Sequence, residues 1–252
     1  MSFASTQQLE MISAGANALS VYLLGEVDFD EAWRWQQRLV YETAGNRQQA
    51  TLMLCEHPPL ITVGRQGSRR HILAEPEELR ARQWRVRWVN RGGGCVLHLP
   101  GQLAIYPILP LDRLGLGLQD YVNRLQDVCR AVLLDFGVLA RRDPDGPDAL
   151  WVADRPIAGF GAAVRDWVSY FGAYLNICPD LPPYRLVKWG GAEVAPMTSL
   201  VRERRGPLRS ALVRQRLLEH FQAQFGFERI SLFFHHPALS RKAPTDAFAA
   251  SP

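Results

Sequence analysis

The segment RGGGCVLHLPGQ, residues 91–102, constrains the fold of this chain more than any other. Three consecutive glycines let the backbone pass close to other groups, and such a turn can present N–H groups to a ligand. Arg91 at its head supplies a planar guanidinium that can hold carbonyl or phosphate oxygens in a bidentate manner. The residues that follow alternate as in a strand, with Val96 and His98 on one face and Cys95 on the other. A proline–glycine turn then leads into a further strand.

Hydrophobic patterns on both sides of this segment predict groups of strands separated by long helices. Asp28 is predicted to cap the first long helix, and residues 116–136 and 211–225 are predicted to form two more. Strands are predicted at residues 20–24, 51–55, 61–63, 84–89, 95–99, 103–108, 150–153, 157–161 and 167–177. This order predicts an α+β (mixed α/β) fold with a mixed sheet flanked by helices, rather than a regular array of parallel strands.

The length of 252 residues, 47% of them hydrophobic, is enough for one sizeable core. We predict a single domain over residues 19–236, an N-terminal extension at residues 1–18 and a flexible tail at residues 237–252. No apolar stretch approaches the roughly 20 residues that a membrane span needs, and the N-terminus lacks the pattern of a secretory signal. We therefore expect a cytoplasmic protein that does not bind membranes.

Charge and cysteine spacing narrow the classes of partner. The net charge is +4, and nearly all of the positive charge is arginine. A basic face suits an acidic protein partner, and no recognition motif that would indicate nucleic acid accompanies the charge. The four cysteines are dispersed without a CxxC pair and the histidines form no HExxH helix, so we predict neither a disulfide framework nor a metal site.

Several motifs occur together in one order along the chain. Residues 91–102 are similar to the pattern RGG-x-x-T-x-H-x-PGQ, and residues 56–65 are similar to EHPP-x-x-T-x-GR. Residues 157–181 and the segment MTSL at residues 197–200 continue the match. In this combination the chain resembles the lipoyl/octanoyl transferase family. The resemblance implies the fold of biotin and lipoate protein ligases, and the transfer of an octanoyl group from acyl carrier protein to a lysine of a lipoyl domain, without a cofactor.

The resemblance also implies an acyl-binding cleft. Its substrate-binding residues would be Arg91, Gly92, Gly93, His98, Gly161, Gly172 and Asn176. Turns at Gly161 and Gly172 would close the cleft. His98 is interpreted either as a group that contacts the acyl carbonyl or as a histidine satisfied inside the sheet. Its position after the glycine turn favours the first role.

The cysteine nucleophile and the lysine on which that family relies have no counterparts here. Alignment on the flanking motifs places the lysine at Pro156 and the cysteine at Gly190, or at Trp189 with one residue of slippage. The threonine of the glycine-rich motif and the histidine before Gly172 are also replaced, by Val96 and Phe171.

Other residues are candidate substitutes for the missing pair. Lys188 lies beside the position of the cysteine, and is either a catalytic residue or a surface lysine. Cys178 is a possible nucleophile, whereas the other three cysteines are predicted to be small core residues. Arg155 could hold an acyl carbonyl but cannot act as a base, because a guanidinium stays protonated.

Three functions remain open. The leading one is an octanoyl or lipoyl transferase that works with altered residues. Its partners would be octanoyl-acyl carrier protein and the lipoyl domains of 2-oxoacid dehydrogenases or glycine cleavage proteins, and we expect it to be a monomer. The second is a homologue that binds an acyl chain, acyl carrier protein or a lipoyl domain without turnover. The third is an ATP-dependent ligase, which would also need a lysine at the position of Pro156.

Overall fold

The computed structural model describes residues 18–143, 149–189 and 196–234. Its strands are β1 (Ala18–Glu26), β2 (Thr51–Glu56), β3 (Leu60–Val63), β4 (Arg85–Trp88), β5 (Cys95–His98), β6 (Gln102–Ile108), β7 (Arg141–Arg142), β8 (Ala149–Val152), β9 (Arg155–Arg165), β10 (Val168–Asn176) and β11 (Arg229–Phe233). Its α-helices are α1 (Phe29–Gly45), α2 (Pro76–Ala81), α3 (Leu118–Asp135), α4 (Leu200–Arg204) and α5 (Ser210–Phe225).

The strands form two mixed sheets. The larger has the order β11-β1-β2-β6-β10-β9-β8-β7, and the smaller has the order β4-β3-β5. Strand β1 is parallel to both β2 and β11. From β2 onward, each pair of adjacent strands in the order β2-β6-β10-β9-β8-β7 is antiparallel. In the smaller sheet β3 is parallel to β4 and antiparallel to β5. The predicted mixed α/β architecture is therefore confirmed.

Helices cover both faces of the larger sheet. One core packs apolar residues of α3 and α5 against β1, β2, β6, β9 and β10, and a second packs α1 against the other face. Helix α1 begins where predicted, since the Asp28 side chain accepts hydrogen bonds from the N–H groups of Asp30 and Glu31. The buried residues of α1 recur at helical spacing and form an apolar stripe that faces the sheet; they include Phe29, Ala32, Trp35 and Leu39.

One expectation about local structure is wrong, and one strand was not predicted. Gly161 and Gly172 are not turn residues: they lie inside β9 and β10, where they are paired with each other. Glycine is used at these positions because a Cβ at Gly172 would lie 2.5 Å from the Ile105 carbonyl oxygen of the neighbouring strand. Strand β11 was not predicted, although Ile230 and Leu232 alternate with Arg229 and Ser231; four of its five residues are exposed.

Some expectations lie outside the described residues. They concern nearly all of the N-terminal extension, the tail at residues 237–252, and Gly190. Strand β1 begins at Ala18, one residue before the predicted domain start. Within the described ranges, no helix combines the length and apolar character needed to cross a bilayer.

Candidate functional site

The glycine-rich loop lies between the two sheets and joins them. It runs from Arg91 to Gly94 between β4 and β5, and the Gly92 N–H donates to the Ala162 carbonyl of β9 at 2.9 Å. Gly161 on the same strand must be glycine, because a Cβ there would lie 2.8 Å from the Gly92 carbonyl oxygen. The loop and β9 are therefore in direct backbone contact, as the predicted cleft requires. Gly172 instead faces β6 and does not close the cleft.

Arg91 is the most unusual side chain of the site. It is only 1% exposed, and its guanidinium donates to the Gly92 carbonyl and to the carbonyl and hydroxyl oxygens of Thr62, at 2.8 to 3.2 Å. Among the described residues no carboxylate forms an ion pair with it, and its Nε has no hydrogen-bond partner. A buried charge without a counter-charge is costly and needs an explanation.

A line of buried polar side chains fixes the position of Arg91. The Thr62 hydroxyl lies 2.9 Å from His98 Nε2, and His98 Nδ1 lies 3.0 Å from the Gln102 side-chain oxygen. The Gln102 amide donates at 3.0 Å to both the Asn176 side-chain oxygen and the Tyr184 hydroxyl. We refer to Arg91, Thr62, His98, Gln102, Asn176 and Tyr184 as the polar relay. Because every member is paired with the next, the relay holds the guanidinium in one orientation.

His98 is neutral and fully occupied within this relay. Burial lowers its pKa well below the ordinary value, and His57 and the charge of Arg91 act in the same direction. Since the Gln102 oxygen can only accept, Nδ1 carries the proton and Nε2 accepts from the Thr62 hydroxyl. Neither ring nitrogen is left for an acyl carbonyl. The structure thus favours the alternative in which His98 is satisfied inside the sheet, and it assigns the free donor to Arg91.

Trp189 lies in the region where the acyl chain was expected. Two cavities of about 10 Å³ each, about the size of one water, remain there, and Trp189 is a wall residue of both. One is lined by Arg91, Gly93, Gly94, Val96, Phe160, Tyr174 and Trp189. The other is lined by Val96, Gln102, Ile157, Ala158, Gly159, Tyr174, Asn176, Tyr184, Trp189 and Met197. Of the predicted binding residues, Arg91 and Gly93 line the first cavity and Asn176 lines the second.

A larger pocket of about 320 Å³ lies outside these two cavities and opens to solvent. It shares Tyr184 and Met197 with the inner cavity. Arg185 and Arg202 also line it, and within the described part of the chain neither guanidinium has an ion-pair partner. We refer to this feature as the outer pocket. It combines apolar walls with two free positive charges.

No cysteine or lysine lines these three spaces among the described residues. Cys95 is buried on the opposite face of β5, as predicted, and burial raises the pKa of its thiol. Cys178 is exposed, and burial of part of its thiol together with nearby Glu56 raises its pKa. A raised pKa disfavours the reactive thiolate. Lys188 precedes Trp189, is half-buried and lines none of the three spaces.

Arg155 has a different role from the one considered for it. Its guanidinium binds both carboxylate oxygens of Glu203, at 3.1 and 3.3 Å, and is not free to hold an acyl carbonyl. Burial acts to raise the pKa of Glu203, but hydrogen bonds from Arg155 and Thr198 outweigh it and hold that pKa below its ordinary value. The pair anchors α4 against β9.

Comparisons with known proteins identify the family of the chain. Residues 28–222 match the family model described as the lipoyl protein ligase A/B catalytic domain. An octanoyltransferase of Geotalea uraniireducens is 36% identical over 204 residues, which are 81% of this chain and 92% of that protein. An octanoyltransferase of Syntrophobacter fumaroxidans is 39% identical over 179 residues, which are 71% of this chain and 78% of that protein.

Solved structures show the same fold at much lower identity. A lipoate-protein ligase A bound with ATP superimposes with a TM-score of 0.65 at 15% identity, covering 85% of this chain and 87% of the other. LipL1 of P. falciparum in complex with lipoate gives 0.68 at 12% identity, covering 86% and 66%. The chain therefore belongs to the lipoyl protein ligase A/B catalytic domain family, and the relatives that share more than a third of its sequence are acyltransferases, namely octanoyltransferases.

Proposed function

We propose that this chain is an octanoyltransferase of protein lipoylation, which moves an octanoyl group from acyl carrier protein to a lysine of a lipoyl domain. The observation that carries the proposal is Arg91, a buried guanidinium whose Nε has no hydrogen-bond partner among the described residues, at the wall of a cavity that Val96, Phe160 and Trp189 also line. Its family and its octanoyltransferase relatives support the choice of acyl group. We further propose that the chain acts as a monomer in the cytoplasm.

Arg91 would bind the oxygen of the acyl carbonyl. That oxygen gains negative charge when an amine attacks the thioester, and a fixed positive donor stabilises the charge more in the transition state than in the substrate. Loss of one such donor costs about 10² to 10³ in rate in other acyl-transfer sites. The apolar walls would take the hydrocarbon, which contributes about 5 kcal/mol for six methylenes at about 0.8 kcal/mol each.

The transfer would be direct, since no thiol of the described residues faces the cleft. The lysine amine of the acceptor attacks the carbonyl carbon, the C–N bond forms and the C–S bond to the carrier breaks. The proton lost by the attacking amine goes to the departing carrier thiolate, directly or through water. The protein supplies orientation, which can lower a barrier by roughly 7–11 kcal/mol, but no covalent intermediate. We expect slow turnover for this reason.

The outer pocket fits the donor side of this reaction. Acyl carrier proteins are acidic and present the acyl group on an arm that carries a phosphate. Arg185 and Arg202 offer two unpaired positive charges at the mouth, beside apolar walls that an extended arm could follow. Charge complementarity of this kind mainly accelerates encounter and weakens with added salt.

A second candidate function is binding without turnover. It is favoured by the indole of Trp189, which leaves two spaces of about 10 Å³ where an acyl chain would lie. On this alternative the chain would hold octanoyl-acyl carrier protein or a lipoyl domain on its surface.

One assay separates these functions. The protein is incubated with octanoyl-acyl carrier protein and an apo lipoyl domain, and the domain is weighed by mass spectrometry. A gain of one octanoyl group without ATP, lost in Arg91→Met, supports the transferase. A gain that requires ATP would indicate a ligase. No gain, with retention of octanoyl-acyl carrier protein or the lipoyl domain on the immobilised protein, would replace our proposal with the binding function.

A further inference from the structure

Trp189 is a wall residue of both inner cavities. The two cavities have three wall residues in common, Val96, Tyr174 and Trp189. The second inner cavity shares Tyr184 and Met197 with the outer pocket, whose wall does not include Trp189. Removing the indole would therefore enlarge both inner cavities, the first of which is lined by Arg91.

Gly159 accommodates the indole in this position. A Cβ built on Gly159 would lie 2.6 Å from Cζ2 of Trp189 and 3.3 Å from Cε2, too close for any side chain. Gly159 lies inside β9 and its backbone has no positive φ that would by itself require glycine. The glycine is thus needed for the closed cleft and not for the strand.

The segment that carries Trp189 is held by backbone contacts, which include an antiparallel bridge between Val187 and Ile72. Trp189 contacts β5 through a single parallel bridge to Cys95, and Lys188 donates its N–H to the His71 carbonyl at 2.7 Å. The indole is half-buried and makes no hydrogen bond within the described residues. Moving the indole outward would expose apolar surface but would break no side-chain hydrogen bond.

We infer that Trp189, matched to Gly159, determines whether this cleft can take a medium-chain acyl group, and that the group binds only after the indole has moved aside. The inference rests on the proposed function for the identity of the acyl group. A ligand that binds only an open state is weakened by the fraction of molecules that are open. Variants that favour the open state should therefore bind the same ligand more tightly.

Two variants open the cleft by different routes. Trp189→Ala deletes the indole. Gly159→Ala leaves the indole on the chain but adds a methyl group that would displace it from its position against β9. Matched controls are Trp167→Ala, which deletes an exposed indole, and Gly206→Ala, where a Cβ meets nothing within 4 Å. The probe is octanoyl-pantetheine in which an amide replaces the thioester, and binding is measured by calorimetry.

We expect both opening variants to bind the probe at least tenfold more tightly than the wild type, and both controls to match the wild type. Fluorine NMR of protein labelled with 5-fluorotryptophan adds a readout that does not depend on affinity. The chain has seven tryptophans, and the resonance absent from Trp189→Ala identifies Trp189. That resonance should shift in Gly159→Ala, and in the wild type when probe is added.

Wild-type binding as tight as that of both opening variants, with no response of the Trp189 resonance, would overturn the inference. Its failure can be told apart from that of the proposed function. If the opening variants bind the probe but transfer no octanoyl group, the inference stands and the transferase proposal fails. If the wild type transfers the group while the Trp189 resonance is unmoved by the probe, the reverse holds.

Discussion

Replacing Thr62 by valine tests whether the polar relay holds Arg91 in place. The Thr62 hydroxyl accepts from Arg91 at 2.8 Å and lies 2.9 Å from His98 Nε2, so valine of the same shape removes two hydrogen bonds without leaving a cavity. His98 Nε2 would be buried without a partner, which costs about 1–3 kcal/mol. Arg91 would keep its bond to the Thr62 carbonyl at 3.2 Å and lose its other constraint there.

Thr62→Ser is the matched control, since it keeps the hydroxyl and removes one buried methyl, at about 1 kcal/mol. For a chain of this length we expect Thr62→Val to lower Tm by about 4–8 °C for a loss of about 2 kcal/mol, and octanoyl transfer to fall at least tenfold. Thr62→Ser should lower Tm by less and transfer at close to the wild-type rate. A valine variant that is as stable as the wild type, or more active than the serine variant, would refute the relay.

Three further predictions concern the same region. Gly161→Ala should destabilise the protein by about 1–3 kcal/mol in urea titrations and reduce transfer, since its Cβ would lie 2.8 Å from the Gly92 carbonyl oxygen; Gly206→Ala should do neither, and equal effects would contradict the contact. His57 has its pKa lowered by burial to about 4 and His98 well below its ordinary value, so both bind protons more readily when unfolded. The stability they contribute is present above pH 6.5 and is lost as pH falls towards 4; unfolding free energies should drop by about 2 kcal/mol per histidine between pH 7 and pH 5, and a flat profile would be inconsistent with two buried neutral rings. Cys178 should be the one thiol of the native protein that reacts quickly with a disulfide reagent, and Cys178→Ala should leave transfer unchanged; a loss of transfer would make it the nucleophile after all.

Much of the fold could be predicted from the sequence, because its signals are local. The Asp28 cap, the helical stripe after Phe29 and the alternation in residues 95–99 depend on neighbours a few positions away, and all three are confirmed. Strand β11 has only a short alternation of Ile230 and Leu232 with polar residues, and it pairs in parallel with β1, at the far end of the chain. From the sequence alone, Gly161 and Gly172 indicated turns. In the structure each glycine instead allows a neighbouring backbone to approach closely.

The site was predictable only in part. Glycine spacing drew attention to Arg91 and predicted the strand that follows it, and that strand is confirmed. Three contacts between side chains or strands could not be foreseen, and two of them, Thr62 with His98 and Trp189 with Gly159, join residues far apart in the sequence. His98 is occupied by Thr62 and Gln102, and the indole of Trp189 reaches across to Gly159. Each depends on packing between sheets, which no pattern within one segment encodes.

No cysteine lines the three spaces of the site among the described residues, so the most direct test of the proposed chemistry is whether the protein itself ever carries the octanoyl group. The protein alone is incubated with octanoyl-acyl carrier protein and weighed intact, and an apo lipoyl domain is then added and weighed in turn. Direct transfer at Arg91 predicts that the lipoyl domain gains one octanoyl group while the protein itself never gains one. An octanoyl adduct on the protein that is passed on to the domain would contradict the account, as would a domain that stays unmodified.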